Sequence, residues 1–236
     1  MEHENSWMQN WKTDHGVTTP EEIMLRSDDV SRIPMLLQGY GWLHVSGITP
    51  ALDPGCADFV LNCLKTAWEM GLTTSFDSNL RTRLRILNFA REIGLKTHLG
   101  HNAQSEIWTW GKARDFCLQC LPYVDVLIGM EPFHLRKDDI WLQDEVFQHI
   151  IERYPNIKCI ARHMRYPYSG SQNALKAFMW YQRHTYESNL FTYHVADRID
   201  GNDAFIRGLI HAIRQGYAPA DLINFAAASA VSKHSA

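Results

Sequence analysis

Four consecutive residues, Asp200, Gly201, Asn202 and Asp203, stand directly before a run in which Phe205, Leu209, Ala212 and Ile213 recur at helical spacing. That spacing predicts a helix from 203 to about 215 with one buried face, entered through the turn DRIDGNDAF at 197–205. The first turn of a helix has unpaired backbone N–H groups at the positive end of its dipole, so an anion, phosphate above all, binds there readily. Gly201 would let the backbone come close to such a ligand, as a side chain would not. Asp203 falls in the first turn. A carboxylate beside bound phosphate is electrostatically awkward, and is expected mainly where it takes a proton from an attacking hydroxyl. Asp and Asn are also the preferred caps of ordinary helices, so a base and a cap are both open readings of the residues alone.

Other chemistry-bearing clusters carry less. Cys117 and Cys120 form a CxxC, but both fall on the apolar stripe of a helical pattern over 110–121 and read as core thiols. His98 and His101 make two ligands at most, so no metal site is expected from the twelve histidines. GYGW at 39–42 lacks the third glycine of a dinucleotide loop and the GK[ST] of a phosphate loop.

The elements that must position the 200–203 turn follow from an alternation of short apolar runs and helical segments. WLHVSG (42–47), TTSF (73–76), KTHL (96–99), VDVLIGM (124–130) and IKCIARH (157–163) read as strands, with helices near 53–70, 83–93, 110–121 and 138–152 between them. This order predicts an α/β fold: a mainly parallel sheet with helices on both faces, binding ligands beyond the strand C-terminal ends. AFMWY (177–181) and NLFTYHV (189–195) have no helix between them and read as a hairpin before the C-terminal helices, the last of which, near 218–231, is alanine-rich.

A chain of 236 residues, 45% hydrophobic and without a Ser, Gly or Pro-rich linker, supports one sizeable core. The formal charge of −3, with both signs interspersed, argues against nucleic acid and membrane surfaces as partners and favours small molecules. The polar N-terminus and the absence of a long apolar run predict a cytoplasmic protein, and five dispersed cysteines fit reduced thiols. Shifting the chain by 23 residues aligns Trp68–Leu72 with Arg91–Leu95, Thr74 with Thr97 and Asn79 with Asn102. That repeat is either a chance likeness of two helix-strand units or the insertion of one such unit.

Taken in order, SFDSNLR (75–81), PYVDVLIG (122–129) and DRIDGNDAF followed by IRGLIHAI resemble the ribokinase-type (PfkB) carbohydrate kinases. WLHVSGITPAL (42–52), WTWGKAR (108–114) and MRYPYSGSQN (164–173) are similar to the 2-keto-3-deoxygluconate kinases among them. The resemblance implies an incomplete ribokinase-like core over 41–236 behind a poorly matching segment at 1–40, with a lid region and a C-terminal end missing. It implies transfer of the ATP γ-phosphoryl group to a hydroxyl of a sugar acid, with Mg²⁺. Asp203 matches the catalytic base. Asp200, Gly201 and Asn202 match the anion hole, and Arg165 a residue on the nucleotide side. Asp77, Asn79 and Arg81 match a DxNxR motif for substrate, in which Arg81 would pair with the sugar carboxylate in bidentate fashion.

The sequence also departs from the family. Asp200 and Asn202 stand where two glycines are usual, and Met130 and Phe133 where an N-x-x-E is. In the second repeat copy Gly100, Asn102 and Gln104 take the places of the DxNxR residues. A catalytically silent homologue, kept as a binding or association module, is therefore the competing expectation, and a homo-oligomer is left open.

Overall fold

The structure, a computed structural model, describes residues 16–20, 23, 29–51, 54–78, 110–129, 143–169, 171–196 and 201–235. Its contacts divide the chain into two units, Met1–His134 and Leu135–Ala236.

In the first unit β1 (Val17–Thr18), β2 (Trp42–Ser46), β3 (Thr73–Asp77) and β4 (Val126–Ile128) lie side by side in that order, all parallel. The helices α1 (Ile33–Leu37), α2 (Pro54–Glu69) and α3 (Trp110–Cys120) belong to the same unit. Parallel strands are covered on both faces and so read as apolar runs, which is why Leu43, Val45, Phe76 and Leu127 have no exposed surface. The polar groups among them are paired. The Asp125 carboxylate accepts from the Thr74 N–H at 2.9 Å and from its hydroxyl at 3.1 Å, and Trp42 Nε1 donates to Ser75 Oγ at 2.8 Å. These cross-strand bonds fix the register Trp42 to Thr73 and Ser75 to Val126.

The expected strands at 42–47 and 73–76 and the helices at 53–70 and 110–121 are therefore present, and the expected run at 124–130 supplies the shorter strand Val126–Ile128. The segments at 83–93 and 96–99, the second repeat copy, Met130 and Phe133 lie outside the described residues. Cys117 and Cys120 are fully buried, as core thiols should be, and none of the five cysteines forms a disulfide. Burial raises the Cys120 thiol and pushes Cys159 up to about 12, so neither ionises at neutral pH.

The second unit contains α4 (Gln143–Arg153), β5 (Cys159–Pro167), β6 (Gln172–Tyr181), β7 (His184–Glu187), β8 (Phe191–His194), α5 (Gly201–Arg214) and α6 (Pro219–Ser235). Its strands are antiparallel, with β6 in the middle. The expected hairpin is drawn differently from the sequence reading. The 178–181 stretch pairs with β7, through a two-residue turn in which Gln182 (φ 50°) and Arg183 (φ 66°) are both left-handed. The 191–194 stretch pairs instead with the other end of β6, at 172–175.

In-register partners share a face, so His163, Arg165, Leu175 and Tyr193 point one way and Ile160, Phe178, Trp180 and Thr185 the other. Thr185 donates to Asp144 of α4 at 2.9 Å, which places α4 on the second face. On the first face the His163 ring lies 4.8 Å from that of Phe205, and Tyr193 stacks on His234, which places α5 and α6 there. The two helices approach closely because Gly208 faces small residues: a Cβ there would sit 2.6 Å from Ser229 Oγ and 3.1 Å from the Ala226 Cα. Gly208→Val is expected to cost about 1–3 kcal/mol through overpacking. A urea midpoint unchanged from the parent would contradict that packing.

Candidate functional site

The helix that carries the candidate turn starts at Gly201, two residues before the sequence pattern places it, and runs to Arg214. Phe205, Leu209 and Ala212 are buried as expected, while Ile206, Gly208 and Ile210 widen the buried face and Ile213 is only half-buried. Gly201 is buried, and Asn202 and Asp203 are half-buried. Asp203 is the acidic residue of the first helical turn, beside the N–H groups that have no partner within the helix. Asp200 lies outside the described residues.

The close approach that a glycine permits at 201 is made here by the protein itself. His234, near the end of α6, lays its imidazole against the helix start: a Cβ on Gly201 would meet Nε2 at 2.0 Å, Cε1 at 2.3 Å and Cδ2 at 2.7 Å. The ring is 3% exposed and stacks nearly parallel on Tyr193, 5.6 Å between centroids and 8° between planes. Its own carbonyl accepts a hydrogen bond of 2.9 Å from the Ala196 N–H. Sequence reading missed His234 entirely. A histidine in the last turn of an alanine-rich helix carries no local sign of a contact with a residue 33 positions away.

Arg165 is exposed, near the end of β5, and alternation puts it on the face that α5 covers, two residues beyond His163. His163, against Phe205, is pushed down to about 4 from the ordinary 6.5, first by burial and then by the positive charges of Arg165, His234 and Arg162. The imidazole is therefore neutral at pH 7. Unfolding releases it to take up a proton at any pH below 6.5, so its contribution is whole above pH 6.5 and is lost as pH falls toward about 4. The expected slope approaches ~1.4 kcal/mol per pH unit, reduced because part of the ring keeps solvent contact. Urea titrations between pH 7 and 4 should show a shallower decline for His163→Gln than for the parent.

In the first unit Asp77 closes β3 at its C-terminal end, 3% exposed, and its carbonyl accepts from the Gly47 N–H at 2.9 Å. The C-terminal ends of parallel strands are where α/β sheets bind ligands. Asn79 and Arg81 lie outside the described residues. No group of three or more His, Cys, Asp or Glu side chains that could hold a metal ion gathers among the described residues, and none of their helices is long and apolar enough to cross a membrane.

No protein-family model matches the chain. Among curated proteins it is 25% identical over 232 residues to a 2-dehydro-3-deoxygalactonokinase of Haloferax volcanii, with 94% of this chain and 58% of that one covered. A PfkB family carbohydrate kinase from Listeria grayi superimposes with a TM-score of 0.68 at 27% identity, covering 89% of this chain and 58% of that one. A 2-dehydro-3-deoxygluconokinase from Thermotoga maritima, 24% identical, shares the fold with a TM-score of 0.69 over 86% of this chain and 57% of that one. The chain thus spans less than two thirds of the length of these relatives. Parallel strands with crossover helices, followed by an antiparallel sheet and the α5–α6 pair, make this a ribokinase-like α/β protein, similar in sequence and fold to the PfkB carbohydrate kinases.

Proposed function

We propose that the chain carries the phosphoryl-transfer part of a sugar-acid kinase, moving the γ-phosphoryl group of ATP to a hydroxyl of 2-keto-3-deoxygluconate or a close relative. The observation that carries this reading is Asp203, half-buried in the first turn of α5, at the end of the helix that favours anions. In that place a carboxylate can accept the proton of the attacking hydroxyl while the N–H groups around 200–203 stabilise charge on the transferring group. Arg165, on the face that α5 covers, would meet the nucleotide phosphates. Asp77, Asn79 and Arg81 would hold the sugar acid, Arg81 by its carboxylate. Mg²⁺ would come in on the ATP phosphates and neutralise their charge there. Five buried cysteines outside any disulfide suit a reducing compartment, and we place the protein in the cytoplasm, with residues 41–236 as the kinase-like core.

A coupled ATPase assay across several sugar acids tests this. Turnover above background with a 2-keto-3-deoxy sugar acid is expected, and its loss in Arg81→Ala for carboxylated sugars alone would fix the role of that arginine. The competing reading, a binding module without turnover, is favoured by Asp200 and Asn202 standing where the family has glycines. It predicts nucleotide binding with no turnover for any sugar acid.

A further inference from the structure

Three elements meet at one side chain in the second unit. His234 belongs to α6, its ring rests on Tyr193 of β8, and the other side of that ring fills the space against Gly201, the first residue of α5. Its backbone carbonyl also holds the N–H of Ala196. His234 thus meets both Ala196, which follows β8, and Gly201, which opens α5. The first N–H groups of a helix have no partner within it, so their placement depends on what packs against the helix start. Oxyanion-type stabilisation depends on donors fixed in advance, and a misplacement of about 1 Å can cost on the order of 100-fold in rate.

We propose that His234 is the positioning residue of the start of α5, holding its first N–H groups and, through them, Asp203 in register for phosphoryl transfer. The catalytic part of this rests on the kinase reading above. The bracing part does not. His234 acts through Gly201 and Ala196 and need not touch substrate.

The test uses the full chain and two readouts. Backbone hydrogen exchange followed by mass spectrometry should show peptides covering 196–206 exchanging at least about 10-fold faster in His234→Ala, with peptides from β5 and β6 unchanged. In the coupled assay the same variant should lose about 10- to 100-fold in kcat, with KM for the sugar acid within about threefold of the parent, because the interaction lost is one made in the transition state. His234→Gln keeps much of the volume and a terminal nitrogen but not the flat ring, and should fall between parent and alanine variant in both readouts. It also keeps the test decisive if the alanine variant does not fold. Parental exchange across 196–206 in either folded variant, or a kcat equal to or above the parent's, overturns the proposal. A parent chain with no phosphoryl transfer at all refutes the kinase reading instead, and the exchange measurement then decides by itself whether His234 holds the start of α5.

Discussion

Asp203→Asn is expected to lower ATP-dependent phosphorylation of the sugar acid by ~100- to 10,000-fold, the range that a positioned general base supplies. Its melting temperature should stay within about 2 °C of the parent's. Asparagine is nearly isosteric with aspartate, and Asp203 is the third residue of α5 and not its cap, so the substitution removes the base and with it only a charge–dipole interaction of about 0.3–1 kcal/mol. The pair of measurements separates the two roles that the sequence leaves open at this position. A carboxylate that only offsets the helix dipole from within the first turn would give unchanged turnover. A base gives a collapse of kcat with the fold intact, and the sugar KM should move little, since the proton is accepted in the transition state. Asp203→Ala is the control: it too loses the base, and its destabilisation should be that of a lost first-turn charge, about 0.3–1 kcal/mol.

Gly201→Val should do the opposite and damage the fold first. A single Cβ at 201 already falls 2.0 Å from His234 Nε2, and the ring behind it rests on Tyr193 and cannot retreat without breaking that stack. Valine adds two further carbons to the same space, so a cost near 3 kcal/mol is expected, the upper part of the usual range for overpacking. Urea unfolding measures it. Because the obstacle is a side chain and not backbone, Gly201→Ala combined with His234→Ala should recover more than half of what Gly201→Ala loses alone. A strictly additive double mutant would show that something other than the imidazole occupies the space.

Strands and helices whose covered faces set the sequence pattern were legible before any coordinates. β2, β3 and β4 sit where their apolar runs put them, because strands buried on both sides leave little room for polar residues. The α6 helix announced its close packing by Ala226, Ala227 and Ala230, all fully buried. β7 went unread for the converse reason: His184, Thr185 and Glu187 are exposed and Tyr186 is half-buried, so no alternation marks it. The turn before it uses Gln182 and Arg183 in a conformation normally advertised by Asn and Gly. At the candidate site the local part, a helix start with a carboxylate in its first turn, was readable. The brace was not. His234 reaches the start of α5 from α6 with Tyr193 of β8 stacked on it, and His163 of β5 meets Phe205 further along; no periodicity within one element encodes a contact between elements.

The buried thiols have a practical consequence. Cys56, Cys63, Cys117 and Cys120 lie in the first unit and Cys159 in the second, every one of them shielded. A thiol reagent can therefore reach them only through opening of the surrounding structure, and each captured opening adds a fixed mass to one identifiable peptide. The chain carries its own clock for each half: timed labelling followed by peptide mapping would report how often the four-thiol unit and the one-thiol unit open, without a mutation or an added probe.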